Sequence, residues 1–427
     1  MKKKILLSIN AGSSSVKVSV YEVEYGQAPT QIAEAQVSGL TSPPASLKYV
    51  RDGRTVVKSK EVEDQVDNQR DAFSLLLETL IDDGDLPQIK SKEDVGIVCH
   101  RIVHGGDYTK PQLISNETYQ HLENLNDLAP LHNANSLGIV QLCIRALPTA
   151  TNVACFDSQF HSTIPEHIRT YPINPDIAKS NHLRKYGFHG ISYAFITRSA
   201  AEFLGKKPEE LNLIALHLGS GASACAIKAG KSWDTSMGLT PVAGLPGATR
   251  SGSVDPSLVF HYASDVGKLS PASTKDLHIS RAEEILNKKS GWKALTGTTD
   301  FGKITSAASS PGHPDHKAMK LAFDLFVDRI CGFIGSYYVS LRGQVDALVF
   351  AGGIGEKSAQ LRAAVVDQIS CLGFEIDGEF NDKNELEKVV EEVGKATGGR
   401  DRPRVLVVQT DEQFEMARAC AEDAEFW

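Results

Sequence analysis

The sequence predicts an α/β protein, and three observations carry that prediction. Short apolar runs typical of strands alternate with segments whose apolar residues recur at helical spacing. Polar or glycine-rich residues follow the apolar runs, as they do at the strand ends that bind ligands in open α/β sheets. A pattern of strand, glycine–serine turn and strand occurs twice, about 200 residues apart. The length of 427 residues allows two or three domains.

The predicted elements follow the apolar pattern. Eight runs are predicted strands, at residues 4–9, 16–22, 95–99, 152–156, 213–218, 222–227, 345–350 and 405–408. Two segments with a helical stripe are predicted helices, at residues 70–81 and about 316–341. We interpret residues 27–65 as a variable surface region and the charge-dense residues 375–404 as a solvated helix and loop without chemistry.

Composition and charge exclude several classes of protein. The net charge of −8 leaves no basic surplus for a nucleic acid or an anionic membrane, although a small anion needs only a few local cations. The first apolar run is too short for a signal peptide, and none approaches the roughly 18 residues of a membrane span. The seven cysteines lack CxxC spacing, which favours reduced core thiols. We expect a soluble, cytoplasmic protein.

The ends of six predicted strands carry polar groups or glycine turns. They are Asn10, His100 with Arg101, Asp157, His217, residues 351–356 (AGGIGE) and residues 409–413 (QTDEQ). Phosphoryl transfer needs such an inventory: backbone N–H groups for phosphates, cations for the transition state, and carboxylates for Mg²⁺. Taken singly, Asp157 is better explained as a cap of the following segment and His217 as a hydrogen-bonded core histidine. Together they predict one polar site.

Two arginines are harder to explain structurally. Arg101 lies in CHRIVHGG and Arg250 in GLPGATRSGSVDP, and both loops are rich in small residues that suit a fixed guanidinium aimed at an oxyanion. No GxxxxGK[ST] motif is present, so the sequence excludes a P-loop enzyme. The glycines of GGIGE have the wrong spacing for a dinucleotide fingerprint.

The repeated pattern has two explanations. KILLSINAGSSSVKVSVYE and NLIALHLGSGASACAIKAGK both have a turn of a size that suits a phosphate between two strands. They indicate either two related domains or a chance recurrence of a common pattern.

The assembled motifs resemble those of the acetate kinase family, from residue 5 to about 418. They are NAGSSSVK, HRIVHGGDY, APLHN, FDSQFHSTIP, YGFHGISY, HLGSGAS, DTSMGLTPVAGLPGATRSGSVDP, AGGIGE and TDEQFEMA, in the family's order. The resemblance implies an α/β fold of two duplicated actin/Hsp70-like (ribonuclease H-like) domains, an active-site cleft between them, and a homodimer. It places residues 1–157 and about 414–427 in the first domain. The second domain, about 158–413, would carry the second phosphate loop, the adenosine loop and the dimer interface.

The resemblance also implies roles for the matching positions. Arg101 and Arg250 would hold the acetate carboxylate and neutralise the transferring phosphoryl group, which His189 would hydrogen-bond. Asn10, Asp157 and Glu412 would organise Mg²⁺, directly or through water. The apolar pocket around the acetate methyl group would consist of Val103, Leu131, Phe188 and Pro241.

The remaining implied roles concern the nucleotide, ATP or ADP. The first phosphate loop would use Asn10, Ser13, Ser15 and Lys17, and the second would use His217, Gly219, Ser220 and Gly221. The adenosine side would use Asp300, Gly352, Gly353, Ile354, Gly355 and Glu356. Two positions depart from the family: Ser220 replaces a frequent asparagine, and Gly302 stands where the family commonly has arginine.

The predicted chemistry is reversible, direct in-line phosphoryl transfer between ATP and acetate, giving acetyl phosphate and ADP. A carboxylate is already ionised at pH 7, so no general base is needed. One more methylene in an apolar pocket is worth only about 1–3 kcal/mol, which leaves propionate or butyrate as alternative substrates. Pyrophosphate is an alternative phosphoryl donor, and a non-catalytic nucleotide-binding protein is the alternative from another class.

Overall fold

The computed structural model describes residues 3–12, 14–40, 44–62, 66–125, 130–263, 265–271, 273–274, 279–382, 386–395 and 403–427, with the side chains of residues 130–132 and 134–135 left aside. The chain forms two compact units. The first comprises Met1–Gln159 and Asp411–Trp427, and the second comprises Phe160–Thr410. Glu412, which the predicted boundaries assign to the second domain, therefore lies in the first unit.

The secondary structure alternates strands and helices. The strands are β1 (Lys4–Ala11), β2 (Ser15–Val23), β3 (Thr30–Ser38), β4 (Ser46–Arg51), β5 (Arg54–Glu61), β6 (Val95–Ile102), β7 (Gln112–Leu113), β8 (Thr151–Phe156), β9 (Leu213–Leu218), β10 (Ala222–Lys228), β11 (Lys231–Thr235), β12 (Ala347–Ala351), β13 (Val390–Glu392) and β14 (Arg404–Val408). The helices are α1 (Gln69–Ile81), α2 (Asn116–Asn124), α3 (Pro130–Ala146), α4 (Glu166–Arg169), α5 (Pro175–Ser180), α6 (Gly190–Leu204), α7 (Leu258–Tyr262), α8 (Arg281–Lys288), α9 (Gly291–Thr296), α10 (Phe301–Ala308), α11 (His316–Ser340), α12 (Gly352–Lys357), α13 (Ala359–Gln368), α14 (Gly378–Asn381) and α15 (Glu412–Glu422).

The first unit is built on an eight-stranded sheet in the order β5-β4-β3-β2-β1-β6-β8-β7. Helix α1 covers the sheet with the predicted stripe, because its buried residues recur at helical spacing: Ala72, Phe73, Leu76, Leu77 and Leu80. The Asn68 side chain caps the helix by accepting from the backbone N–H groups of Arg70 and Asp71.

The second unit is built on a six-stranded sheet in the order β11-β10-β9-β12-β14-β13. Strands β9 and β12 read as continuous apolar runs because they lie in the middle of the sheet and are buried. Helix α11 packs its buried face, which includes Phe326, Ile330 and Ile334, into the same core.

The two sheets share a five-stranded arrangement. In the first unit, β3, β2 and β1 pair antiparallel in that order, and β1, β6 and β8 pair parallel. In the second unit, β11, β10 and β9 pair antiparallel, and β9, β12 and β14 pair parallel. The repeated turn joins β1 to β2 in the first unit and β9 to β10 in the second. This common topology supports duplication over chance as the origin of the repeat.

All eight predicted strands and both predicted helices are confirmed, with ends displaced by at most three residues. Two interpretations were wrong. Residues 27–65 contain β3, β4 and β5, whose modest alternation hides a buried row that includes Ile32, Ala35 and Val37. Residues 375–404 contain the edge strand β13 and the buried Asn381, which accepts a hydrogen bond from the Arg362 Nε (2.7 Å).

Other bulk predictions also have a structural outcome. All seven cysteines are free thiols, and six of them are buried while Cys371 is exposed. Within the described residues, no helix has both the length and the apolar character needed to cross a membrane.

Candidate functional site

Three parallel strand ends gather a polar cluster in the first unit. Asn10 lies near the end of β1, Arg101 lies near the end of β6, and Asp157 directly follows β8. Arg101 donates from Nη2 and Nε to the two carboxylate oxygens of Asp157 (2.6 and 3.1 Å) and from Nη1 to Asn10 Oδ1 (3.3 Å). Glu412 joins from the start of α15, 3.5 Å from Arg101 Nε and 3.4 Å from Asn10 Nδ2. Four predicted residues, Asn10, Arg101, Asp157 and Glu412, therefore meet at one edge of the sheet.

Burial makes this cluster electrostatically strong. The Asp157 side chain is only 1% exposed and that of Arg101 is 19% exposed. Burial alone would lower the pKa of Arg101, but the carboxylates of Asp157 and Glu412 raise it above its ordinary value. Two carboxylates thus lie against one guanidinium, and their oxygens also suit a cation.

Gln413 anchors the start of α15, and sequence reasoning missed it. Its amide donates to the backbone carbonyls of Ser8 (2.7 Å) and Lys17 (3.2 Å), and its Oε1 accepts from the Ser19 hydroxyl (2.9 Å). These bonds join α15 to β1 and β2 and fix the neighbouring Glu412. The available signal in TDEQ was the glutamine directly after the predicted site residue Glu412, because an amide that becomes buried needs hydrogen-bond partners.

The first glycine–serine turn is only partly described. The Gly12 N–H donates to the Ser15 carbonyl (2.9 Å), which tightens the turn before β2. The Lys17 ammonium group forms an ion pair with the Glu34 carboxylate (2.8 Å). Ser13 lies outside the described residues. The phosphate roles of these residues stay predictions.

A strained turn presents His189 in the second unit. His189 precedes α6 with φ of 60°, a left-handed conformation that is uncommon for a residue other than glycine. His161 supports this turn from below: its Nε2 donates to the Phe188 carbonyl (2.9 Å) and its Nδ1 accepts from the Ser232 hydroxyl (2.7 Å). Burial lowers the pKa of His161 to about 4, so this support is neutral at pH 7.

His189 and His217 lie against each other. Their rings stack with centroids 4.2 Å apart at an interplanar angle of 28°. Ser223 Oγ is 2.9 Å from Nδ1 of His189, and Ser192 Oγ is 2.8 Å from Nδ1 of His217. The structure therefore brings together two histidines that the sequence singled out separately. The two serines were not predicted, although Ser192 lies in the quoted motif YGFHGISY.

The second glycine turn brings Arg250 beside His189. The Gly219 N–H closes the turn on the Gly221 carbonyl (3.0 Å), and the Ser220 carbonyl accepts the N–H of Ala248 (2.9 Å). A Cβ on Gly221 would fall 2.0 Å from Arg250 Nη2 and 3.5 Å from His189 Nε2. A side chain at this position would displace the Arg250 guanidinium, which is the end of a flexible side chain.

The AGGIGE segment contains the last residue of β12 and the first five residues of α12. Gly352 has φ of 75°, and a Cβ there would meet the backbone of Leu218 at 2.8–3.0 Å, whereas a Cβ on Gly353 would meet nothing within 4 Å. Glu356 Oε1 accepts the Thr410 N–H (3.3 Å), and burial raises the pKa of Glu356. The open side of Gly353 leaves space along the backbone.

The other predicted residues have separate locations. Asp300 caps α10 by accepting the Lys303 N–H (3.2 Å). Phe188 and Pro241 are buried in the second unit, and Val103 is half-buried in the first. Leu131 lies in α3, with its side chain outside the described set. The nucleotide role of Asp300 and the acetate pocket stay predictions.

The first-unit cluster has a donor set that fits Mg²⁺. Mg²⁺ prefers oxygen ligands and usually binds one or two carboxylates together with waters and substrate phosphates. Asp157 and Glu412 supply two carboxylates, and Asn10 supplies an amide oxygen beside them. The described residues contain no group of three or more His, Cys, Asp or Glu that would hold a metal alone. The cluster therefore suits a Mg²⁺ ion that also binds the oxygens of a phosphate ligand.

Comparison with known proteins identifies relatives along the whole chain. The acetokinase family pattern matches residues 5–418. A probable acetate kinase of Chaetomium globosum is 70% identical over 455 aligned residues, covering 100% of this chain and 99% of the relative. An acetate kinase of Borreliella burgdorferi is 36% identical, with 96% of each chain covered.

Solved structures agree with the sequence relatives. The crystal structure of Porphyromonas gingivalis acetate kinase matches with a TM-score of 0.78 and 33% identity over 97% of this chain and 98% of that one. A propionate kinase from Francisella tularensis matches with a TM-score of 0.82 and 30% identity over the same shares. These neighbours confirm the predicted actin/Hsp70-like α/β fold. The chain belongs to the acetokinase family.

Proposed function

We propose that the protein is a phosphotransferase that moves a phosphoryl group reversibly between ATP and acetate, with Mg²⁺, to give acetyl phosphate and ADP. The observation that carries the proposal is the cluster of Asn10, Arg101, Asp157 and Glu412 in the first unit. Membership of the acetokinase family supports it independently.

The residues present suit transfer without a general base. The acetate carboxylate is ionised at pH 7 and attacks phosphorus directly, so the protein needs to position it and to stabilise charge. The bonds from Arg101 to Asp157 and Asn10 use three of its five N–H donors. The remaining donors of Arg101, together with Arg250, would neutralise the transferring phosphoryl oxygens, and His189 would hydrogen-bond them.

The nucleotide and the metal would bind the loops and the acidic cluster. Asn10, Asp157 and Glu412 would hold Mg²⁺, directly or through water, and the bound ion would offset charge on the phosphate oxygens. The turns at residues 10–17 and 217–221 would bind phosphates through backbone N–H groups. The open face of Gly353 would leave room for adenosine.

Propionate is the second candidate substrate, because the propionate kinase neighbour has a TM-score of 0.82. An apolar pocket discriminates weakly between acids that differ by one methylene, at about 1–3 kcal/mol. The proposed pocket of Val103, Leu131, Phe188 and Pro241 would therefore set a preference rather than an absolute choice.

The test is formation of the acyl phosphate, trapped as its hydroxamate. Acetate, propionate and butyrate are each combined with ATP or pyrophosphate, with Mg²⁺ and with EDTA. The proposal expects the highest kcat/KM for acetate with ATP and loss of product in EDTA. A higher kcat/KM for propionate would replace the substrate, and product from pyrophosphate alone would replace the donor. ATP binding without any product would contradict the enzymatic function.

We also propose that the protein forms a homodimer and is located in the cytoplasm. Sedimentation of the purified chain is expected to give twice the chain mass of 46.2 kDa. The net charge of −8 supports the absence of nucleic-acid and anionic-membrane partners. Retention on a nucleic-acid column at physiological salt would contradict that part.

A further inference from the structure

A buried chain of hydroxyl groups stands behind the ring of His189. Ser223 Oγ lies 2.9 Å from His189 Nδ1 and 2.6 Å from the Tyr193 hydroxyl. Ser223 and Tyr193 are both 0% exposed. Because no solvent reaches these two hydroxyl groups, each must donate its proton to an acceptor within the protein. A buried hydroxyl without an acceptor would destabilise the folded state.

The direction of this chain follows from its far end. Among the described residues, the Tyr193 hydroxyl has one hydrogen-bond partner, Ser223 Oγ. If Tyr193 accepted from Ser223, its own buried proton would have no acceptor, so Tyr193 donates to Ser223. Ser223 then donates to Nδ1 of His189. A neutral imidazole whose Nδ1 accepts carries its proton on Nε2.

The Nε2 of His189 faces the place where the reaction is proposed. A Cβ on Gly221 would lie 3.5 Å from His189 Nε2 and 2.0 Å from Arg250 Nη2. The nitrogen that carries the proton is thus beside the second glycine turn and the guanidinium. The strained φ of 60° at His189 indicates that this orientation is held against a local preference.

We propose that Ser223 and Tyr193 are positioning residues that fix His189 as a neutral Nε2–H donor to the transferring phosphoryl group. The proposal rests on the function proposed above and adds to it the tautomer and the two residues that set it. Ser223 acts on His189 directly, and Tyr193 acts through Ser223. Neither residue touches the substrate.

The first test is kinetic. Ser223→Ala and Tyr193→Phe are each expected to lower kcat about tenfold or more while the KM values for acetate and ATP change less than about twofold. Ser223→Thr, which keeps the hydroxyl, is expected to recover most of kcat. Ser199→Ala and Tyr337→Phe are the matched controls: Ser199 is buried in α6, the helix that carries Tyr193, and the buried Tyr337 hydroxyl has no partner among the described residues. Equal kcat values for the variants and their controls would overturn the proposal.

A double-mutant cycle separates positioning from general support of the fold. If Ser223 acts only through His189, Ser223→Ala added to His189→Ala lowers kcat no further. An equal loss in both backgrounds would assign Ser223 to the fold and overturn the proposal. His189→Ala with normal kcat would instead contradict the proposed role of His189 itself.

The second test needs no activity. Nitrogen-15 NMR of histidine-labelled protein is expected to show Nδ1 of His189 unprotonated and Nε2 protonated in the parent chain, with assignment by the His189→Ala spectrum. Ser223→Ala is expected to change this signature while Ser199→Ala leaves it unchanged. A proton on Nδ1 in the parent chain would overturn the proposal even if acetyl phosphate is made.

Discussion

The two units build their polar ends from the same five-stranded arrangement but with different chemistry. In the first, fixed charges meet: Arg101 is held between Asp157 and Glu412. In the second, His189 and His217 stack, and each is tethered at Nδ1 by a serine hydroxyl. The strand order and directions match, so the fold did not dictate this difference.

The comparison indicates that two units with the same strand arrangement can carry different chemical groups. The charged cluster offers carboxylate oxygens for a cation and a guanidinium for an anion within one group of residues. In the second unit His189, as proposed above, offers a neutral N–H donor, which places a hydrogen bond without adding charge. A reaction that handles a metal, phosphates and a carboxylate together needs both kinds of group.

The largest expected effect comes from breaking the charged cluster. Arg101→Gln would remove the guanidinium that pairs with the buried Asp157 carboxylate, so we expect the free energy of unfolding to fall by about 3–5 kcal/mol, together with loss of activity. Urea unfolding measures this change. Arg329→Gln, which breaks an exposed pair with Asp328, is the control and should cost less than about 1 kcal/mol. Equal losses in the two variants would refute the difference we draw between the units.

Arg250 provides the corresponding test in the second unit. Arg250→Ala is expected to lower kcat about 10²–10³-fold, by analogy with loss of one oxyanion donor. The hydroxamate assay with acetate and ATP measures the change, with Arg329→Ala as the control. Near-normal kcat would remove Arg250 from the site.

The pH dependence of stability tests whether His161, which hydrogen-bonds the turn before His189, is neutral in the folded protein. The pKa of His161 is lowered by burial to about 4 from an ordinary 6.5, with Lys185 as a further cause. Because the unfolded chain binds the proton more readily, stability is full above pH 6.5 and declines as the pH falls toward 4, by about 3 kcal/mol in total. Urea unfolding of the parent chain and of His161→Gln measures this, and the variant should show a flatter profile. Identical profiles would contradict a buried neutral His161.

The smallest expected effect concerns the glycine beside Arg250. Gly221→Ala would displace the Arg250 guanidinium, whose Nη2 lies 2.0 Å from the added Cβ, and we expect kcat to fall about tenfold. The guanidinium is the end of a flexible side chain, so stability should change little. Gly332→Ala is the control, since a Cβ there meets nothing within 4 Å; it should keep full kcat and gain about 0.5–1 kcal/mol in stability. Unchanged kcat in both variants would separate Gly221 from the site.

The sequence predicted the central strands and the residues at their ends, because buried parallel strands are continuous apolar runs and the residue after each run is easily found. Asn10, Arg101 and Asp157 were found in this way. Strands β3, β4 and β5 of the first unit were missed, since in β3 only a short row of mostly small residues, Ala33, Ala35 and Val37, alternates with polar ones. The hydroxyl network was also missed, because Tyr193 and Ser223 meet only after α6 packs against the second sheet.

The most direct test of the account is the stereochemical course at phosphorus. Acetate is combined with ATP whose γ-phosphorus is made chiral with oxygen isotopes, and the configuration of the acetyl phosphate is determined. Direct in-line transfer predicts inversion, because one displacement occurs and no residue of the protein carries the phosphoryl group. Retention would require two displacements through a covalent intermediate and would contradict the account.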